Sequence, residues 1–293
     1  MKQKILILCL PLLLGFLSVS AQEKAPYRIY DSKGKASTYN EMLSTTSEAD
    51  VVLFGEQHNN AVAHWFEIEL AKDLFQTKGN NLMLGAEMFE ADEQLILDEF
   101  VNGTITEKNF LEQARLWPNY ATDYAPLVNF ARNSKIRFVA TNIPRRYASM
   151  VSKGGFEVLG DLSEEAKKYI APLPVEYDSE LSCYKSLLTM GGMGMGQGNA
   201  NPNFPKAQAI KDATMAYFII KNLQPETIFL HYNGAYHSDN YESIVWYLNK
   251  SDKKLKIITI STVEQSDINV LSNDYKGLAD FIIVVDEDFT KTY

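Results

Sequence analysis

The chain has 293 residues, of which 46% are hydrophobic, 12% aromatic and 22% charged. This balance fits one globular domain whose core needs no disulfide staples, and it excludes a disordered tail, a collagen-like repeat and a coiled coil. Lys and Arg number 28 against 37 Asp and Glu, a net charge of −9, and no basic run of the kind that tracks phosphates occurs, which argues against nucleic acid as a partner.

Residues 1–21 read as a secretory signal peptide. Lys2 and Lys4 form a basic start, Ile5 to Leu17 an apolar stretch, and Val19 and Ala21 the small residues before a cleavage site. The apolar stretch is shorter than the roughly 20 residues a membrane span needs. Cys9 lies within it, so no lipid-attachment cysteine is present, and the chain reads as exported to the periplasm or cell surface. Removing Lys2 and Lys4 leaves 26 basic against 37 acidic residues, a mature charge of −11. Cys183 is then the sole cysteine, which excludes an internal disulfide and cysteine-based zinc sites.

From residue 22 to 293 the pattern is that of one α/β domain. Tyr27 to Tyr30 is strand-like, and Thr38 with Glu41 predicts a capping box for a helix reaching Thr46. Val51 to Phe54 is a continuous apolar run, the mark of a fully buried strand. Ala61 to Phe75 has helical spacing, and Leu82 to Phe89 reads as the next strand. Helical patterns follow over Gln94–Phe100, Glu107–Arg115 and Tyr124–Arg132, then a buried strand over Ile136–Ala140. Three more strands are predicted at Thr227–Leu230, Leu255–Ile260 and Phe281–Val285. Buried strands alternating with helices predict a mainly parallel sheet with helices on both faces. Residues 161–205 carry no apolar β-branched run and read as a small all-helical insertion. Its Met190–Gly198 stretch, with five glycines in nine residues, is expected to form no helix and to make a loop or a mobile lid.

Ligands of parallel α/β sheets sit beyond the carboxyl ends of the strands. The residues there are Gly55-Glu56-Gln57-His58-Asn59-Asn60, Gly85-Ala86-Glu87-Met88-Phe89, Thr141-Asn142-Ile143-Pro144-Arg145-Arg146-Tyr147 and His231-Tyr232-Asn233-Gly234-Ala235-Tyr236-His237. All four histidines, His58, His64, His231 and His237, fall at such ends or on the helix that follows. With Glu56 and Glu87 they mark a functional site. His64 lies in the first turn of a predicted helix, where the dipole disfavours a positive imidazole and leaves it available as a ligand. His231, closing an apolar strand, reads as a core residue. Gln208 and Asp212 share one helix face. The six-residue spacing of His58 and His64 is not that of a zinc-protease helix, and neither a serine elbow nor a phosphate-binding glycine loop occurs.

In order along the chain come Gly55-Glu56-x-His58-x-Asn60, Glu87-Met88-Phe89 with Gln94, and Trp117 with Tyr124-x-Pro126-Leu127. Asn142-x-Pro144-Arg145, Gln208-x-x-x-Asp212-x-x-Met215-Ala216 and Gly234-x-x-His237 follow. The series resembles the ChaN-like haem-binding uptake family of the Tiki superfamily. The resemblance implies a parallel α/β domain with a small helical domain, exported or surface-attached, in iron or haem acquisition. Haem is the implied cofactor, with outer-membrane haem transport proteins and a second copy of the chain as partners. It also brings in metal-dependent proteases and erythromycin esterases as distant relatives with similar Glu and His positions.

Two readings of the site follow. A haem site needs an apolar cleft, an axial ligand and cations for the propionates. Tyr147, preceded by Arg145 and Arg146, is the first choice of iron ligand, since positive charge favours a phenolate, with His58, His64 or His237 as the alternatives. His64, Asn142, Gln208 and Asp212 complete the expected cofactor contacts. A hydrolase would use Glu56, His58, Glu87 and His237 to hold a divalent metal ion or to act as general base, with Arg145 or Asn142 at the oxyanion.

Overall fold

The computed structural model describes residues 24–194, 201–252 and 254–293. The leader expected at residues 1–21 lies outside the described residues. The elements begin with β1 (Tyr27–Asp31), β2 (Ala36–Ser37), α1 (Tyr39–Thr46), β3 (Val51–Glu56), α2 (Ala61–Lys78) and β4 (Leu82–Glu90). Next come α3 (Gln94–Val101), α4 (Glu107–Gln113), α5 (Ala125–Ser134), β5 (Phe138–Asn142), α6 (Arg145–Gly154), α7 (Glu164–Lys167) and α8 (Ser182–Gly194). The chain closes with α9 (Phe204–Asn222), β6 (Ile228–Gly234), α10 (Ile244–Ser251), β7 (Ile257–Gln265) and β8 (Phe281–Asp286).

The eight strands form one sheet in the order β2-β1-β8-β7-β3-β6-β4-β5. The six strands from β8 to β5 are all parallel, and β1 and β2 add an antiparallel edge. Side chains alternate across the sheet with period two, so β3 serves two cores at once. Val52 and Phe54 pack with Phe66, Leu70 and Leu74 of α2, and with Phe100 and Val128 on the same face. Val51 and Leu53 point the other way, to Val151 of α6, Ile210 and Ile219 of α9, and Leu248 of α10. Full burial of each such side chain stabilises by about 1.5–3 kcal/mol. A strand covered on both faces has no polar position to offer, which is why β3 reads as an unbroken apolar run.

The capping box expected for α1 is present. The Thr38 amide donates to Glu41 Oε2 at 2.9 Å, and the Glu41 amide donates to Thr38 Oγ1 at 3.2 Å. Between 161 and 205 the described residues form α7, α8 and the start of α9 and contain no strand. The expectation that the Met/Gly stretch holds no helix is corrected in part. Helix α8 runs on through Gly191 and Gly192 to Gly194, while residues 195–200 lie outside the described residues. A helical glycine costs about 1 kcal/mol relative to alanine, a penalty that a helix already started at Ser182 can absorb. Among the described residues no helix is long and apolar enough to cross a membrane.

A cleft at the carboxyl edge of the sheet

The carboxyl ends of β3, β6 and β4, adjacent in the sheet, open into a cleft of about 960 Å³. It lies at the upper end of the range of small-molecule sites, about 300–1,000 Å³. Glu56 is the last residue of β3. Glu87 sits where the register of β4 against β5 shifts between Ala86 and Glu90, a bulge that re-aims the strand. Gly234 ends β6, and the turn after it carries His237. Helix α9 contributes Gln208 and Lys211, the start of α6 contributes Arg145, and the segment after α4 contributes Leu116 and Trp117.

Two histidines stand on the cleft walls, each backed by a carboxylate and a tyrosine. His58 Nδ1 lies 2.7 Å from Glu56 Oε1, and the same oxygen accepts from the Tyr124 hydroxyl at 2.7 Å. Burial pushes the His58 pKa down, but the hydrogen bond to Glu56 and the Glu56 and Glu87 charges outweigh it, and the net direction is up. Glu56 is fully buried; its hydrogen bonds and the neighbouring histidines overcome desolvation and hold its carboxyl below the ordinary range. With Nδ1 held by Glu56, Nε2 is the ring nitrogen that His58 turns toward the cleft, and the indole of Trp117 flanks the ring at 4.9 Å. Glycine at 234 makes this possible. A Cβ there would sit 2.8 Å from His58 Nε2.

On the other wall His237 Nδ1 lies 2.5 Å from Asp212 Oδ1, and His237 Nε2 lies 3.3 Å from Glu87 Oε1. The Tyr184 hydroxyl donates to Asp212 Oδ2 at 2.7 Å, and the Gly234 amide donates to Glu87 Oε2 at 2.9 Å. Burial works against a charged His237, yet the two carboxylates push its pKa up to about 10. Burial pushes the Asp212 carboxyl above its ordinary value, against the pull of His237 and of the Tyr184 hydrogen bond, and the Glu87 charge adds to the rise. His237 is therefore an imidazolium clamped between two carboxylates.

The family profile described as haem-binding uptake, Tiki superfamily, ChaN matches residues 42–248. The chain belongs to this ChaN family. Among solved structures it is similar to a Campylobacter jejuni ChaN described as binding haem cofacially, with 20% identity and a TM-score of 0.69 over 90% of this chain and 99% of that one. A Bacillus cereus protein shares the fold at 12% identity and a TM-score of 0.50, over 85% and 92% of the two chains. The erythromycin esterase EreC reaches a TM-score of 0.46 at 11% identity, over 89% and 83% of the two chains. No curated protein matches the sequence.

Within this ChaN fold the structure brings together Glu56, His58, Glu87, His237, Asn142, Arg145 and Gln208, all of which line the cleft. Four other expected residues stand outside its lining. Tyr147 is 8% exposed and packs among Ile143, Ala148 and Val151. Its hydroxyl accepts from Arg146 at 3.2 Å, and the guanidinium lies 4.4 Å from its ring centre. Tyr147, expected as the iron ligand, thus stands outside the lining of the cleft. One turn into α6 the helix has rotated the side chain toward the sheet. Arg146 is committed to Asp92 at 2.7 Å, on the protein surface. His64 lies behind Glu56, with Nδ1 3.0 Å from Glu67, and does not reach the cleft. Asp212 is wholly buried and acts on His237 rather than on a ligand. His237, expected among metal ligands, has both ring nitrogens taken and presents no lone pair. Asn142 donates to the Glu87 carbonyl at 3.0 Å, so its amide braces the bulge. His231 is a core residue as expected, bonded to Thr141 and Asn233.

Lys211 was missed. It lines the cleft, and neither it nor Arg145 has an ion-pair partner among the described residues. Its position three residues after Gln208 on the same helix face is the signal that finds it.

Proposed function

We propose that this exported ChaN protein acts in haem or iron uptake and binds ferric haem in the cleft at the carboxyl edge of the sheet. The observation that carries the reading is the pairing of one open imidazole with two unpaired cations. His58 offers Nε2 as an axial ligand, made more basic by Glu56 on its other nitrogen. Arg145 and Lys211 are suited to the two propionates, and Trp117, Met88, Ile143 and Leu187 supply apolar lining. Haem, when bound, would supply the redox-active iron; the protein's part is to ligate, orient and shield it. Partners of matching role are outer-membrane haem transport proteins and a second copy of the chain.

The test is an absorption titration with ferric haem. Wild type is expected to give a saturable Soret shift, and His58→Ala to weaken binding at least about tenfold, which is about 1.4 kcal/mol. Tyr147→Phe should bind as wild type does. Equal affinity of His58→Ala and wild type would defeat the assignment.

The same Tyr124–Glu56–His58 relay favours a second reading. An imidazole held by a carboxylate and open on Nε2 is a general base, able to activate a water for ester or amide hydrolysis. Hydrolysis of a nitrophenyl ester that is lost in His58→Ala, with no haem binding by wild type, would select it.

A further inference from the structure

Behind the cleft wall, on the side of Glu56 facing away from His58, lies a second polar cluster that haem binding does not use. Glu56, His64 and Glu67 are buried there, and Glu67 is wholly inaccessible. One donor atom from each lies within 4.8 Å of the others.

The outward atoms of this cluster are all satisfied. Glu56 Oε1 is held by Tyr124 and His58. His64 Nε2 lies 3.2 Å from the His58 carbonyl oxygen and 3.4 Å from Asp123 Oδ2. Asp123 is itself fixed by the Asn119 amide at 2.7 Å and the Thr292 hydroxyl at 2.8 Å. A carbonyl and a carboxylate hold Nε2, and Nδ1 faces inward, 3.0 Å from Glu67 Oε2 and 3.6 Å from Glu56 Oε2. This is how a metal-binding histidine is oriented by its outer contacts.

Two of the inward oxygens are not satisfied. Glu56 Oε2 and Glu67 Oε1 are buried with no hydrogen-bond partner among the described residues. Leaving such oxygens bare is costly, and each demands a proton, a water or a cation. Two carboxylate oxygens and one imidazole nitrogen form a donor set for a first-row divalent ion. Bonds of about 2.0–2.2 Å separate tetrahedral donors by roughly 3.5 Å, close to the 3.6 Å and 3.0 Å that separate His64 Nδ1 from Glu56 Oε2 and from Glu67 Oε2.

We propose that Glu56, His64 and Glu67 hold a divalent transition-metal ion, of the class of Mn²⁺, Fe²⁺ or Zn²⁺, in this closed space. The ion bridges the carboxylates and neutralises the cluster. It also fixes the carboxylate that orients His58, which links the metal site to the cleft through one side chain. The assignment concerns atoms that face away from the cleft and stands whether or not haem binds there. The rival occupant is a proton shared by the two glutamates, since burial and the Glu56 charge push the Glu67 carboxyl well above its ordinary value.

The experiment is calorimetric titration of chelator-treated protein with MnCl₂ and with ZnCl₂, beside thermal melting with and without each ion. Wild type is expected to bind one ion per chain and to melt higher with it. Glu67→Gln keeps the shape of a protonated glutamate, and should fold but lose at least about 100-fold in affinity together with the thermal gain. His64→Asn should behave alike. Glu87→Gln and His237→Asn, on the cleft walls, should bind as wild type does. Wild type that neither binds either ion nor melts higher with it would leave only a shared proton. Binding kept in Glu67→Gln but lost in Glu87→Gln would place the ion in the cleft. Either result overturns the proposal.

Discussion

Asp212→Asn tests the wall of the cleft built on His237. Asp212 is wholly buried, 2.5 Å from His237 Nδ1 and 2.7 Å from the Tyr184 hydroxyl, and asparagine has almost the same shape. What changes is the charge. Removing one partner of a buried ion pair costs about 3–5 kcal/mol, and at about 2–4 °C per kcal/mol for a chain of this size the melting temperature should fall by roughly 6–20 °C. The pH dependence supplies an independent check. The folded His237 pKa is raised from 6.5 to about 10, so the folded state holds a proton that the unfolded chain releases earlier. Its contribution to stability is complete below pH 6.5 and is lost as pH rises toward 10. In Asp212→Asn only Glu87 still supports the imidazolium, so the alkaline decline should shrink. Thermal melts followed by circular dichroism from pH 6 to about pH 10 measure both effects. A loss of less than about 2 °C, or an alkaline decline equal to that of wild type, would refute the account of His237 as a clamped imidazolium.

Gly234→Ala places a methyl group 2.8 Å from His58 Nε2, while the backbone, at φ −54°, accepts alanine. His58 must swing off Glu56, so ferric haem affinity should fall at least about tenfold with a stability loss of about 1–3 kcal/mol, and an unchanged haem titration would contradict this. Arg145→Ala combined with Lys211→Ala should weaken haem binding and flatten its dependence on salt; a salt dependence like that of wild type would remove the propionate role. Cys183 is 6% exposed, and burial pushes its thiol pKa up to about 12, so it should resist a thiol reagent at pH 8 until the protein is denatured. Rapid labelling of the native protein would count against the packing of α8 on α9.

Much of the scaffold was legible in the sequence because its signals are local. Val51–Phe54 is apolar at every position since β3 is covered on both faces, and Thr38 with Glu41 caps α1 through contacts three residues apart. The polar groups at strand ends were legible for the same reason, since a parallel sheet places those ends along one edge whatever its strand order. The motif series from Gly55 to His237 carried the family. Orientation and partnership were not legible, because they depend on residues far apart in the chain. Arg146 and Tyr147 follow Arg145 directly, yet the turn of α6 sends Arg145 to the cleft, Tyr147 to the core and Arg146 to Asp92. Asp212 reads as one of a helix-face pair with Gln208, and only the tertiary approach of α9 to the turn after β6 shows that it grips His237, 25 residues on. His64 sits six residues from His58 and looks like its companion. The rise of α2 carries it behind Glu56, where Glu67 and Asp123 meet it instead. Strand ends are fixed by periodicity; the rotation of each side chain about its helix, and the charge it meets there, is set only when distant elements pack.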